Sequence, residues 1–127
     1  MGAPPKPTDA ELEILAVLWA NGPSTVRAAH EALAKRRPTG YTTALKMLQI
    51  MAEKGLVRRD ESKRAHVYRA AESREKTQRR LAGDFLERAF LGSAGDLVLG
   101  ALSARKASKE DLDEIRRLLD EYEEKSL

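Results

Sequence analysis

Apolar residues recur every three to four positions in three segments of the first 54 residues, and this helical periodicity limits the fold more than any other feature of the sequence. It predicts a helix over residues 9–20, where Thr8 and Glu11 have the spacing of a capping box. A second, shorter helix is predicted to begin after Ser24 or Thr25 and to end in a basic run. The chain therefore begins its fold with two helices, joined by the turn-forming sequence Asn-Gly-Pro.

A third helix is predicted over residues 41–54, and a small hairpin follows it. Segments 56–59 and 66–69 carry β-branched or aromatic residues and flank a polar, charged stretch, as the strands of a hairpin do. Three helices and a hairpin in this order are typical of a winged helix-turn-helix, which places one helix in the major groove of DNA. The sequence thus predicts a mainly α fold, with a winged helix-turn-helix domain over residues 8–70.

The third predicted helix has two chemically different faces. The face expected to be buried carries Tyr41, Ala44, Met47, Leu48 and Met51. The opposite face carries Thr42, Thr43, Lys46, Gln49 and Glu53. Threonine and lysine can hydrogen-bond base edges or phosphates, so we expect this second face to contact DNA. The basic residues Arg36, Arg37, Lys63 and Arg64, placed before the helix and at the hairpin tip, are further candidates for phosphate contacts.

Charge is distributed unevenly along the chain, although the net charge is only +3. Residues 35–69 hold ten Lys or Arg and three acidic residues, a net charge of +7. Residues 107–127 hold four basic and eight acidic residues, a net charge of −4. A basic middle segment favours a polyanionic partner, here double-stranded DNA, and the acidic end favours a different role.

Residues 71–127 are predicted to form a helical dimerisation domain. Three amphipathic helices in so short a segment bury little surface by themselves, and a two-fold dimer would cover their apolar stripes. The stripe residues are Leu81, Phe85, Phe90, Leu97, Leu102, Leu112, Ile115, Leu118, Leu119 and Tyr122. Packing of this segment on the first domain of the same chain is the alternative that the sequence leaves open.

Several classes of protein do not fit this sequence. The chain has no cysteine, which excludes disulfides, thiolate metal sites and cysteine nucleophiles. The longest apolar run, over residues 14–20, is too short to span a membrane, and residues 1–7 contain three prolines and resemble a disordered arm rather than a signal peptide. We therefore expect a cytoplasmic protein with no membrane partner.

No catalytic or metal-binding motif is complete. His30 and Glu31 match the start of a zinc-binding His-Glu-x-x-His motif, but position 34 is alanine. His66 is the only other histidine, and it lies on a predicted strand. We accordingly expect no enzyme activity, no metal and no cofactor.

The motifs together resemble the penicillinase repressors, the BlaI/MecI/CopY group of bacterial winged-helix repressors. They are TDAELEIL at 8–15 with Leu18-Trp19, Tyr41-Thr42-Thr43, EKGLV at 53–57, Val67-Tyr68 and Leu97-Val98-Leu99. The likeness extends from about residue 8 to residue 124. It implies a homodimeric repressor of a palindromic operator, with Tyr41 and the residues after it on the groove-reading helix and Lys63 and Arg64 on the wing. It also implies a sensor or protease that relieves repression.

The chain departs from the family pattern in three places. The β-lactam-responsive members are cleaved at an Asn-Phe bond, where this chain has Gly100–Ala101. The copper-responsive members carry a cysteine-rich tail, which this chain lacks. Leu45 and Ile50 are apolar at positions expected to be polar on the groove side of the third helix.

A second function also fits the predicted fold. Some winged helices bind proteins rather than DNA, and such domains usually lose the basic recognition face. A winged-helix protein-interaction module is therefore the alternative to the repressor.

Overall fold

The computed structural model describes residues 4–126, and this part of the chain holds six helices and three short strands. In chain order these are α1 (Asp9–Asn21), β1 (Ser24–Thr25), α2 (Val26–Ala34), α3 (Tyr41–Lys54), β2 (Val57–Asp60), β3 (Val67–Ala70), α4 (Arg74–Phe90), α5 (Ala94–Ala104) and α6 (Lys109–Ser126). The chain divides into two compact units between Ala82 and Gly83. The prediction of a mainly helical fold with a small hairpin is confirmed.

Side-chain caps fix the starts of the first two helices. The Thr8 hydroxyl accepts a hydrogen bond from the Glu11 amide at 3.1 Å, and the Thr8 amide donates to the Glu11 carboxylate at 2.9 Å. This is the predicted capping box, which satisfies two of the backbone donors at the helix start. For α2 the cap is Thr25, whose hydroxyl accepts from the Ala28 amide at 3.1 Å. The sequence left Ser24 and Thr25 as equal candidates, and the structure distinguishes them.

The structure contains one strand that the sequence did not predict. Ser24 and Thr25 form β1, which pairs antiparallel with β3 so that the sheet order is β1-β3-β2. Two residues are too few to show the alternating pattern by which a strand is recognised. Ser24 lies opposite Tyr68 and is buried. β1 therefore connects the start of α2 to β3, one of the two strands of the wing, which is the hairpin formed by β2 and β3.

The end of α3 is set by a glycine in the left-handed conformation. Gly55 has φ of 84°, and its amide donates to the Ala52 carbonyl at 3.2 Å. The Leu56 amide donates to the Met51 carbonyl at 2.9 Å, which completes a Schellman motif. Leu56 and Met51 are both buried, as this motif favours. The chain is thereby turned from α3 directly into β2.

The core of the first unit lies between α1, α2, α3 and the sheet. Its members are largely aliphatic, as the low aromatic content predicts, and they include Ile14, Leu15, Leu18, Leu33, Leu48, Met51 and Val57. The exception is Tyr68, whose ring on β3 is only 1% exposed. Trp19 packs against the edge of this core, and its indole nitrogen donates to the Glu72 carbonyl at 3.0 Å.

The first unit extends twelve residues beyond the predicted boundary at residue 70 and ends at Ala82. The first half of α4 is attached to it, because Thr77 is buried and because Glu72 is hydrogen-bonded to α1 through Trp19. The Glu72 carboxylate also pairs with Arg80 at 2.6 Å. The prediction assigned all of α4 to the second domain because its helical periodicity is continuous across residue 82.

The predicted arm, residues 1–7, is only partly described. Residues 1–3 lie outside the described part of the chain, and residues 4–7 have no regular secondary structure. Pro7, however, is buried. The last residue of the predicted arm therefore belongs to the packed first unit.

The second unit is helical and poorly buried. None of its described residues, 83–126, is buried. Within it, the Phe85 and Phe90 rings meet edge to face with their centroids 5.4 Å apart. The Phe90 ring also lies against α5 at Gly100, where an added Cβ would be 3.5 Å from it. These contacts leave most of the apolar surface of this unit exposed.

An ion pair joins the start of α1 to the end of α3. Lys54 Nζ lies 2.9 Å from Glu11 Oε2, and Glu11 is buried. Burial would raise the pKa of Glu11, but the Thr8 amide, the Lys54 ammonium group and the Thr8 hydroxyl together hold that pKa below its ordinary value. The ionised carboxylate therefore stabilises the fold.

We expect Glu11→Gln to reduce the free energy of unfolding by about 1–3 kcal/mol at pH 7, because it removes the charge from a buried hydrogen-bonded pair. Since the folded-state pKa is lowered, the stabilisation is complete above the unfolded-state pKa and is lost as the pH falls through the folded-state pKa. Urea unfolding followed by the fluorescence of Trp19, the single tryptophan, measures both effects.

The difference between the wild-type chain and Glu11→Gln should shrink on acidification from pH 7 to pH 3. Glu31→Gln is the matched control, because the Arg27–Glu31 pair is largely exposed and exposed pairs contribute little. If the difference in the free energy of unfolding between the two proteins does not change with pH, the ionised Glu11 carboxylate is not the source of the stabilisation.

Candidate nucleic-acid interface

Helix α3 presents one buried and one exposed face. Ala44, Leu48 and Met51 are buried in the core, and Met47 is partly buried against it. The exposed face carries the predicted contacts Thr42, Thr43, Lys46 and Gln49, together with Glu53. The structure therefore brings these residues together in one row of side chains, with the two threonines in the first turn.

Tyr41 differs from its predicted place on the buried face. It is 47% exposed, because it is the first residue of α3 and lies beyond the end of the core. Its ring meets the edge of His30 at a centroid distance of 5.7 Å. His30 Nε2 in turn donates to the Thr39 carbonyl at 2.7 Å. These contacts connect α2 to the segment that leads into α3.

Leu45 and Ile50, the two apolar residues of α3 that depart from the family pattern, have different environments. Leu45 is partly buried against the core and also lines a cleft between α2, α3 and the wing. Ile50 is 37% exposed and belongs to the outward row. The outward face of α3 is therefore polar except at Ile50.

The wing is a pair of antiparallel strands with a basic tip. β2 pairs with β3 in a register that places Val57 opposite Ala70 and Arg59 opposite Tyr68. At the tip, the Asp60 carboxylate accepts from the Ser62 amide at 2.9 Å, and hydrogen bonds from Ser62 lower the pKa of Asp60. Lys63 and Arg64 follow this turn and are both exposed, as predicted.

The two arginines before α3 are not equivalent. Both lie in the turn after α2, but Arg37 pairs with Glu13 of α1, its Nε 3.0 Å from Glu13 Oε2. Arg36 is exposed in the same turn. Arg37 is thus partly engaged within the protein, which the sequence did not indicate.

A solvent-open cleft of about 500 Å³ lies between the start of α2, the outer side of α3 and the wing. Its lining residues are Thr25, Val26, Arg27, Tyr41, Leu45, Gln49, Arg59, Arg64, Ala65, His66 and Tyr68. Arg27 and Arg59 are absent from the sequence-based candidates. Arg59 could have been found, because it stands two residues after the buried Val57 along β2 and must share its side of the sheet. Arg27 had no such signal, since it stands in a helix of mixed composition.

Arg59 is held in the cleft by two neighbours. A hydrogen bond with the Tyr68 hydroxyl and the charge of Glu61 both raise the pKa of the Arg59 guanidinium. Arg59 Nη2 lies 3.0 Å from Glu61 Oε1. The guanidinium is therefore positioned by Tyr68 and Glu61 at the cleft that Gln49 of α3 also lines.

The predicted dimerisation residues are all in α4, α5 and α6, and they differ in exposure. Phe85, Leu102, Leu118, Leu119 and Tyr122 are exposed. Leu81, Phe90, Leu97, Leu112 and Ile115 are partly buried, and Leu81 belongs to the first unit. Leu91, Val98 and Leu99 are exposed apolar residues that the prediction did not include, and Leu91 is 88% exposed. Leu91 lies in the turn between α4 and α5, outside any helical stripe.

A half-buried helix with a polar outer face, beside a basic β-hairpin, is the arrangement of a winged-helix DNA-binding domain. Two solved structures share it. The solution structure of the Bacillus licheniformis BlaI monomeric form in complex with the blaP half-operator matches with a TM-score of 0.51 and 25% identity, covering 59% of this chain and 92% of that one. The solution structure of the DNA-binding domain of the repressor BlaI matches with a TM-score of 0.52 and 26% identity, covering 58% of this chain and 90% of that one.

Sequence comparison extends the likeness over nearly the whole chain. The family model for the penicillinase repressor matches residues 7–121. The transcriptional regulator BlaI of Mycobacterium tuberculosis is 35% identical over 116 residues, covering 91% of this chain and 83% of that protein. The penicillinase repressor of Bacillus licheniformis is 25% identical over 118 residues, covering 93% and 92%. The chain belongs to the penicillinase repressor family, a family of transcriptional repressors.

The described residues hold neither a cluster suited to a metal ion nor a helix suited to a membrane. Among residues 4–126, no three His, Asp or Glu side chains are grouped so that they could hold a metal ion. Within the same residues, no helix has the length and apolar character needed to cross a membrane.

Proposed function

We propose that this chain is a homodimeric transcriptional repressor that binds a palindromic operator, with α3 in the major groove and the wing on the DNA backbone. The observation that carries the proposal is the division of α3 into a buried apolar face and an exposed polar row. The row contains Thr42, Thr43, Lys46 and Gln49. A helix held in this way by the core can enter the major groove without giving up any buried contact.

Each residue type in the row suits a feature of the major groove. The hydroxyl groups of Thr42 and Thr43 can hydrogen-bond base edges or phosphates, and their methyl groups can contact thymine. Lys46, one turn further, can reach a guanine or a phosphate, and Gln49 can pair with adenine. Ile50, the apolar member of the row, suits a thymine methyl group. The proposal assigns the chain no catalytic activity and no cofactor.

The wing and the turn before α3 supply sequence-independent contacts. Lys63 and Arg64 at the exposed tip are placed to neutralise phosphates or to enter the minor groove. Arg36 is a further phosphate candidate, and Arg37 would first have to exchange its pairing with Glu13.

Dimerisation is supported by the absence of burial among residues 83–126. The exposed apolar side chains of α5 and α6 would gain free energy if another surface covered them. A second copy of the same segment would cover them symmetrically. The Bacillus licheniformis BlaI complex pairs a monomeric form with a half-operator, which is consistent with a two-fold site.

The proposal includes relief of repression by a sensor or protease. At the position of the family's Asn-Phe cleavage bond this chain has Gly100–Ala101, which lies inside α5 rather than in a loop. A protease needs an extended segment, which a helix does not offer until it opens locally. The proposal therefore does not place cleavage at this bond.

The test is a gel-shift titration of the chain against the DNA upstream of its own coding region, repeated over a range of salt concentrations. A repressor should bind with a logarithmic salt slope of about −0.9 for each phosphate neutralised. Binding that is absent or insensitive to salt would instead favour a winged-helix module that binds protein.

Lys46→Ala should weaken binding to this DNA by about 1–3 kcal/mol, roughly 5- to 150-fold, if Lys46 contacts a base. Titration by fluorescence anisotropy measures the change, with a scrambled duplex as the reference DNA and Lys109→Ala, a lysine of α6, as the control variant. An equal loss on the scrambled duplex would show that Lys46 contacts only phosphate.

Reversal of both wing charges, Lys63→Glu with Arg64→Glu, should flatten the salt slope by about 0.9 for each lost phosphate contact. The matched control reverses Arg105 and Lys106, two exposed cations in the connection between α5 and α6. If the two double variants have the same slope, the wing does not contact the backbone.

Leu118→Asp should convert the dimer to monomers, because it would place a charge in an apolar interface. Sedimentation velocity measures the mass, and the gel shift should show loss of tight operator binding. Leu118→Met keeps an apolar side chain of similar volume and should remain dimeric. A dimeric Leu118→Asp variant would place the interface elsewhere.

A further inference from the structure

We infer that the cleft between α2, α3 and the wing is the seat of one sugar-phosphate strand of the operator, with Arg27, Arg59 and Arg64 as its phosphate ligands. This inference rests on the proposed function, because it concerns DNA held by the same domain. It adds a binding site and residues beyond the exposed row of α3. Arg27 belongs to α2 and Arg59 to β2, and neither residue is among the sequence-based candidates for DNA contact.

The chemistry of the cleft selects an anion. Its eleven lining residues include three arginines and His66, and none of the eleven is an aspartate or a glutamate. Thr25, Tyr41 and Gln49 add neutral hydrogen-bonding groups. Arginine is suited to phosphate because its planar guanidinium presents paired donors. A cleft lined in this way favours a negatively charged group.

Arg27 and Arg59, the two arginines that the sequence did not suggest, are each paired with a glutamate but can exchange that partner for a ligand. Arg27 Nε lies 3.3 Å from Glu31 Oε1, and Arg59 Nη2 lies 3.0 Å from Glu61 Oε1. Neither Glu31 nor Glu61 lines the cleft. Exposed pairs of this kind contribute little, and a phosphate can replace the carboxylate.

The position of the cleft identifies which part of the DNA it would receive. With α3 in the major groove and the tip of the wing over the neighbouring minor groove, the strand that separates the two grooves must cross the space between them. The cleft lies in that space, since both Gln49 of α3 and Arg64 of the wing line it. Its volume of about 500 Å³ is within the range of sites that enclose small molecules, so it is a groove rather than a flat contact.

The start of α2 adds to the attraction of the cleft for an anion. Thr25 caps this helix and lines the cleft, as do Val26 and Arg27, the first two helical residues. Backbone amides at a helix start carry partial positive charge and favour phosphate. Arg27 thus adds a full charge beside a helix end that already attracts anions.

The test compares two cleft variants with two controls of equal charge. Arg27→Gln and Arg59→Gln each remove one positive charge from the cleft. Arg58→Gln and Arg69→Gln remove one charge each from the other face of the same sheet, where Arg58 lies opposite Arg69. We expect each cleft variant to bind the upstream duplex roughly tenfold more weakly and to lose about 0.9 from the salt slope, whereas each control changes affinity less than about twofold.

Ethylation interference identifies the contacted phosphates whatever the base sequence of the operator. The upstream duplex is ethylated at random phosphates, mixed with wild-type chain or Arg59→Gln, and separated into bound and free fractions. Ethylation of one or two adjacent phosphates on one strand of each half-site should prevent binding of the wild-type chain. The same ethylations should have a much smaller effect on Arg59→Gln, because the contact is already lost.

The outcomes separate the cleft from the repressor function as a whole. Cleft variants that match their controls in affinity and salt slope, or an interference pattern unchanged in Arg59→Gln, would overturn the cleft as the seat of the strand while leaving the repressor intact. A wild-type chain that binds no duplex would overturn the proposed function and this site together. Circular dichroism and Trp19 fluorescence on all four variants exclude unfolding as the cause.

Discussion

The burial of one side of α3 is the constraint on which the rest of the first unit depends. Leu48 and Met51 are completely buried, so the helix cannot rotate about its axis without exposing them. Its end is fixed by the left-handed Gly55, and Lys54 ties the last turn to Glu11 of α1. The outward row of side chains therefore has a fixed direction before any ligand arrives, which reduces the entropy lost on binding.

The three-stranded sheet positions the start of α2 and the wing against the core, and it does so with very few residues. β3 is its central strand, with the short β1 on one side and β2 on the other. Tyr68 is the point where these elements meet, because it lies opposite both Ser24 and Arg59 and its ring is buried. The start of α2, the wing and the core are consequently held in one arrangement around a single aromatic side chain. The cleft is a product of that arrangement.

Features set by local chemistry could be predicted from the sequence. The capping box at Thr8, the glycine end of α3 and the buried positions of Leu48 and Met51 follow from spacing alone. Features set by tertiary contacts could not. β1 is too short to show a pattern, Tyr41 is exposed because it lies past the end of the core, and α4 is divided between two units although its sequence is continuous. Arg27 joins the cleft only through the packing of α2 beside the sheet, whereas Arg59 could be placed on the side of Val57 by strand alternation.

The absence of buried residues among 83–126 would make the stability of the second unit depend on the concentration of the protein in the cell. On the proposed function, a segment with so little burial within its own chain gains much of its order from association, so its stability would rise with the logarithm of chain concentration. The first unit has its own core and does not share this dependence. On the proposed function, a cell with few copies of the protein would hold folded but monomeric DNA-binding domains. The concentration of the protein would then set the point at which the gene is repressed.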